Sequence, residues 1–245
     1  MRNDPAGPAV ILSPHLDDAV LSTWSVLRRP GDVTVVNVCT GLPPAGTEGF
    51  WDRITGMTDS VAVMGARLAE DREALALAGR EPVGLGFLDA QYRAEELDQA
   101  ELREAFEREV PLASALFAPA NIARHPDHLA TRTLALGVAA DSGVALHLYA
   151  ELPYSSRFGW PHWVTGEPAD PKLLPAEVWE GALNDLPMDR ERLEPQPIRL
   201  PDDEAARKLD AMRTYATQFT ALQGGPHEML SHPSVLPFEV TWAVH

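Results

Sequence analysis

Residues 9–18 read Ala9-Val10-Ile11-Leu12-Ser13-Pro14-His15-Leu16-Asp17-Asp18. The apolar run is short and uninterrupted, the pattern of a strand covered on both faces. It ends in an imidazole and two carboxylates within four residues. From Asp17 to about Arg29 the spacing changes: Val20, Leu21, Trp24 and Leu27 share a helical face, and Pro30-Gly31 stops it. A strand therefore runs straight into a helix, with reactive side chains at the join.

The same alternation continues along the chain. Residues 33–40 are β-branched and apolar, a second strand. A loop over 41–50 is too long for a mere connection. A helix spans about Ser60 to Gly79, a third strand Pro82 to Leu88, and a charged amphipathic helix Glu95 to Val110. A fourth strand over Leu112–Phe117 precedes a helix from His125 to about Ala140, with Pro126 in its first turn. Val144 to Ala150 is a fifth strand. Apolar strands alternating with helices predict an α/β fold: a doubly wound, Rossmann-like parallel sheet of order 3-2-1-4-5.

The regularity ends after Glu151. Residues 153–201 combine many prolines with Tyr154, Phe158, Trp160, Trp163 and Trp179, an irregular segment rather than a linker. A final long helix is expected over Asp202–Leu222, and one more strand within Val235–Val244. The expected organisation is one domain over 1–245: a core of about 9–152, the irregular segment, then a C-terminal helix and tail over 202–245.

Composition narrows the class of function. The chain has 245 residues and a net charge of −16. That disfavours nucleic-acid partners, which need a basic stripe, and docking to anionic membranes. No apolar stretch approaches a membrane span or a secretory leader, so a cytoplasmic protein is expected. The single cysteine, Cys39, excludes an intramolecular disulfide and reads as a small buried residue.

The chemistry gathers in two strings. His15 and Asp18 are three apart on a first helical turn and can converge on one ion. Asp17 lies between them and points elsewhere, where a general base belongs. The second string, Arg124-His125-Pro126-Asp127-His128, repeats the spacing with two histidines. In the expected sheet, strands one and four are neighbours at the topological switch point, so both strings meet at one crevice. Both helix N-termini favour negative charge developing there. Three ligands, a spare base and an open position make a hydrolytic metal site, and one zinc ion suits it.

These motifs resemble the PIG-L, or LmbE-like, family of zinc-dependent N-acetylglucosaminyl deacetylases, written (A/S)-H-P-D-D and H-P-D-H. This chain has His15-Leu16-Asp17-Asp18, with Leu16 where proline is usual, and a full match at His125-Pro126-Asp127-His128. The resemblance covers residues 9–150 well and the final helix loosely. It implies His15, Asp18 and His128 as zinc ligands and Asp17 as the base. It implies that His125 stabilises the oxyanion or protonates the leaving amine, with Asp127 orienting His125. Arg67-Leu68-Ala69-Glu70 and Asp89 resemble positions that contact the sugar in relatives.

The expected function is hydrolysis of the N-acyl group of a small-molecule amino sugar. Tyr154, Phe158, Trp160, His162 and Trp163 suit a rim for a bulky aglycone. They equally suit a satellite core or a contact within a homo-oligomer. Two other readings use the same site: an amidase or deacylase for a thiol conjugate or natural-product glycoside, and a metal-dependent binding protein without catalysis.

Overall fold

The computed structural model describes residues 7–110, 113–122, 124–155, 159–168, 175–223 and 228–245. Strand β1 (Ala9–Ser13) is buried at every position, as its unbroken apolar run requires. It pairs in parallel with β2 (Val33–Asn37) on one side and β4 (Ala115–Pro119) on the other. β3 (Pro82–Gly84) extends the sheet beyond β2, and β5 (Ala145–Tyr149) beyond β4, both in parallel. The order β3-β2-β1-β4-β5 is the one the sequence predicts. Ile11, Leu12, Val35, Val36 and Leu116 are essentially inaccessible. Burial of each such side chain contributes roughly 1.5–3 kcal/mol.

Helices α4 (Ser60–Leu77), α5 (Gln99–Glu109) and α6 (Pro126–Ser142) lie between the strands in sequence. Asp59 and Asp98 cap α4 and α5 by accepting two backbone N–H groups each. Gly143, at φ 72°, closes α6 in the left-handed conformation that glycine adopts without strain. No helix among the described residues is long and apolar enough to cross a membrane.

Three features depart from the sequence reading. The helix expected over 17–29 is two short pieces, α1 (Asp18–Ser22) and α2 (Trp24–Leu27), broken at Thr23. The cause is distant: the Glu239 carboxylate accepts from Trp24 N at 2.8 Å and Ser25 N at 3.0 Å, and pairs with Lys208 Nζ at 2.7 Å. Residues 193–199, placed in the irregular segment, form β6 (Leu193–Arg199) at the sheet edge. β6 runs antiparallel to β7 (Phe238–Val244), which is antiparallel to β5. Pro195 and Pro197 are two residues apart, so both missing N–H groups fall on one side, as an edge strand tolerates. The long C-terminal helix is also interrupted, into α7 (Asp202–Arg213) and α8 (Phe219–Leu222). Between them Glu70 accepts from Thr217 N at 3.0 Å and Thr217 Oγ1 at 2.7 Å, taking the turn out of the helix.

A buried polar contact joins α4 to this turn. Asp71 accepts from Tyr215 Oη at 2.8 Å and from Asn37 Nδ2 at 2.6 Å. Burial pushes its carboxyl up to about 7 despite both donors. The folded-state value lies above the unfolded one. The contribution to stability is therefore fully present below about pH 4 and is lost as pH rises through 7. Between pH 5 and pH 8, D71N should lose less stability than wild type, by roughly 1–4 kcal/mol. Urea midpoints of both proteins at the two pH values check this, and parallel losses would refute it.

Candidate metal centre

The carboxyl ends of four parallel strands each deliver part of one site. β1 ends at Ser13 and the chain turns into α1, presenting His15, Asp17 and Asp18. β4 ends at Pro119, and the following loop leads to His125 at the N-cap of α6, with Asp127 and His128 in its first turn. Asp89 follows β3, and Glu151 follows β5. The two strings, more than a hundred residues apart, meet because β1 and β4 are hydrogen-bonded neighbours.

Three side-chain atoms form a nearly equilateral triangle. His15 Nδ1 and His128 Nε2 are 3.3 Å apart, and each lies 3.4 Å from Asp18 Oδ2. A tetrahedral ion with ligand bonds of about 2.0–2.1 Å has edges of about 3.3–3.4 Å. Two imidazole nitrogens facing each other over one carboxylate oxygen also call for positive charge between them. The donor set therefore fits a tetrahedral metal ion with a fourth position open. His125 completes a looser group, its ring nitrogen within 4.8 Å of ligand atoms of His15 and His128. A further cluster of His15, Cys39 and Asp127 is poorly suited to an ion. Burial pushes the Cys39 thiol well up, and the Asp127 carboxylate is already engaged by other donors.

The remote nitrogen of each histidine in the triangle meets a carboxylate. His15 Nε2 is 3.0 Å from Asp127 Oδ2, and His128 Nδ1 is 3.0 Å from Glu151 Oε1. Asp127 also accepts from Ala90 N and from the Arg93 guanidinium. Despite burial, His15 and Arg93 hold its carboxyl well below the usual range. Asp127 was expected to orient His125, but its carboxylate turns to His15 and lies 3.8 Å from His125 Nδ1. What orients His125 is the Asp127 backbone: its N–H donates to His125 Nδ1 at 3.2 Å. Burial, with His15 and His128 beside it, pushes His125 down to about 4. It is then a neutral imidazole with its proton on Nε2, a hydrogen-bond donor.

Adjacent carboxyls are driven apart. Burial and the Asp18 charge push Asp17 up to about 6. Burial acts on Asp18 too, but His128 and His15 hold it below the usual range. Asp17 is 7 % exposed and lines a cavity of about 280 Å³ beside the triangle.

The other expected contacts divide. Arg67 lines the cavity, pairs with Asp52 at 3.0 Å and is buried, with no hydrogen-bond partner at Nε. Asp89 also lines the cavity, although its carboxylate accepts from Gln91 N and Gln91 Nε2. Glu70, which shares its motif with Arg67, holds Thr217 instead. Of the expected aromatic rim, Tyr154 lines the cavity. Trp160, Trp163 and Trp179 pack with Trp242 of β7, ring centroids 5.5–6.3 Å apart, as a satellite core. His162 faces Glu167 O at 3.1 Å, and Phe158 lies outside the described residues. Sequence reasoning missed Glu151, Arg93 and the cavity-lining Phe50 and Trp51. Glu151 had a signal, an acid directly after an apolar strand; Arg93 had none.

No family model matches the chain, and no curated protein matches it by sequence. Solved structures do match. Orf2*T, a triple mutant of a deacetylase of the teicoplanin biosynthetic pathway, is 26 % identical, with a TM-score of 0.72 over 97 % of this chain and 98 % of that one. The A40926 pseudoaglycone deacetylase Dbv21 is 26 % identical, with a TM-score of 0.69 over 97 % of both chains. These neighbours belong to the LmbE/PIG-L deacetylase family, the one the two sequence motifs resemble. A diacetylchitobiose deacetylase from Pyrococcus horikoshii shares the fold at 18 % identity and a TM-score of 0.54, over 91 % of this chain and 76 % of that one. LmbE/PIG-L deacetylases are hydrolases of amide bonds.

If the triangle is the metal cradle, H15A, D18A and H128A should each lose most bound zinc, since each deletes one of three donors. Metal analysis of the purified variants reads this directly. A full equivalent of zinc in all three would place the ion elsewhere.

Proposed function

We propose that this protein removes the acetyl group from an amino sugar of the N-acetylglucosamine type carried on a larger, partly apolar small molecule. The observation that carries the reading is the 3.3–3.4 Å triangle of His15, Asp18 and His128, with Asp17 and His125 at the same cavity. Zinc held by these three groups would supply Lewis acidity at the open fourth position.

The chain's own residues then divide the work. Asp17 accepts a proton from the attacking water as its oxygen bonds to the amide carbon. The proton on His125 Nε2 donates to the oxygen that becomes negative. A neutral imidazole held near a pKa of 4 is a hydrogen-bond donor rather than an acid at neutral pH. Asp17, now protonated, therefore returns its proton to the nitrogen as the C–N bond breaks, leaving acetate and a free amine. Arg67 brings a buried guanidinium with an unpartnered Nε to the cavity wall, a donor for a sugar oxygen. Asp89 offers an acceptor on the same wall.

The non-sugar part meets an apolar mouth supplied by a different segment from the one the sequence suggested. Helix α3 (Phe50–Ile54) sits at the cavity, and Phe50 lines it while remaining 66 % exposed. Leu42, Ile54 and Met57 are exposed in the same stretch. Asp52 ties α3 down by pairing with Arg67 and accepting from Tyr92 Oη at 2.6 Å. Apolar side chains fixed at a pocket mouth favour an apolar ligand group. The two neighbours at 26 % identity serve teicoplanin biosynthesis and A40926 pseudoaglycone deacetylation, which fits a substrate larger than a free sugar.

D17N should keep zinc and fold while losing about 10²–10⁴-fold in kcat. H125A should keep zinc and lose turnover as well. Wild-type kcat in D17N, measured by acetate release, would remove Asp17 from the reaction. For substrate class, kcat/KM for free N-acetylglucosamine and for an aryl N-acetylglucosaminide should differ in favour of the glycoside. F50A should shrink that preference by about tenfold, the scale of one lost apolar contact. Equal values for both substrates in wild type would limit recognition to the acylated sugar.

A further inference from the structure

Glu151 follows β5, and its side chain is fully buried. Its two oxygens accept from three directions. Oε1 lies 2.6 Å from Asn121 N and 3.0 Å from His128 Nδ1, and Oε2 lies 3.3 Å from Ile122 N. Asn121 and Ile122 belong to the connection from β4 to α6, which carries His125 and His128. Asn121 and Arg124 in that connection have φ of 62° and 56°. Asparagine takes such an angle readily, whereas arginine seldom does, so the conformation at Arg124 is one its surroundings must support.

We propose that Glu151 is a positioning residue that acts through His128 and through this connection together, resting on the metal-site reading above. Its carboxylate keeps a proton on His128 Nδ1, which leaves the Nε2 lone pair facing His15 and Asp18. A buried negative charge at that distance also raises the donor strength of the ring. The backbone N–H groups of Asn121 and Ile122 bind the same carboxylate, so the strand-to-helix connection is fixed to the strand that holds His128 in line. The resulting arrangement mirrors Asp127 on His15 Nε2 across the triangle. Each ring of the triangle thus has one nitrogen for the ion and one for a buried carboxylate.

The test measures zinc affinity by competition with a fluorescent chelator, alongside the absorption spectrum of the cobalt-substituted protein. E151A should bind zinc about 10–100-fold more weakly than wild type and shift the cobalt bands. E151Q keeps one oxygen acceptor without the charge and should fall between the two. A lower melting temperature of metal-free E151A or E151Q, with zinc affinity within about threefold of wild type, would reduce Glu151 to a structural role and overturn the proposal. Should neither variant fold, nitrogen NMR of the zinc-loaded wild type decides: the proposal requires a proton on His128 Nδ1 and the metal on Nε2, and any other state refutes it. Wild-type protein that binds no zinc would instead refute the metal-site reading.

Discussion

Parallel pairing of β1 with β4 is the constraint on which the site depends. The register Ala9↔Ala115 to Ile11↔Phe117 sets two strand ends side by side. The first helical turn after each then faces the same crevice. His15 stands in the bend before α1 rather than on its first turn as the spacing suggested, and it still meets Asp18 and the first turn of α6 across that crevice. The same pairing explains why the site tolerates so much charge. The strands beneath it are largely apolar and buried, and the polar Ser13 and Asn37 at their ends are themselves hydrogen-bonded. β5 joins this frame through its own parallel register with β4, and so Glu151 arrives beside the connection from β4 to α6.

Electrostatics, rather than packing, organises what sits on that frame. Asp17, Asp18, Asp127 and Glu151 are all buried and lie around His15 and His128. Isolated buried carboxylates are expensive, and each of the last three is met by donors: histidine nitrogens, backbone N–H groups or Arg93. The clustered negative charge raises both histidines above their ordinary value even though burial opposes it. A site that draws protons onto two facing imidazoles is a site prepared for a cation. The metal reading thus rests on charge balance as well as on the length of three edges.

Much of this was legible in the chain. Apolar runs flanked by helical periodicity predict five parallel strands and their order, because covered strands and amphipathic helices leave strong periodic signals. The His-x-x-Asp and His-Pro-Asp-His strings predict where reactive groups gather, because residue type and i, i+3 spacing are local properties. The rest was not legible because its causes are remote. Thr23 breaks a helix on account of Glu239, more than two hundred residues away. Pro195 and Pro197 look like a loop until the strand is known to be an edge. Trp160 and Trp163 suit a binding rim or a satellite core by sequence, and only the remote Trp242 decides for the core. Asp127 reaches His125 through its backbone N–H, while its carboxylate meets His15, a residue more than a hundred positions away.

The pair Asp17 and Asp18 shows how far position alone can differentiate identical residues. They are adjacent, both buried and both at the start of one helix. One residue of rotation sends Asp18 between two histidines, where the ion-facing nitrogens keep it charged. The other side of the same turn sends Asp17 to the cavity wall, where the Asp18 charge opposes its ionisation. A ligand must stay anionic, whereas a base must both take a proton and give it back near working pH. In the proposed reaction the repulsion between the two carboxylates would serve the chemistry: the firmer Asp18 holds its charge, the more readily Asp17 would accept a proton from water. Separating the two by even one residue would weaken that coupling, which gives a physical reason for the uninterrupted Asp-Asp step at the end of the strand.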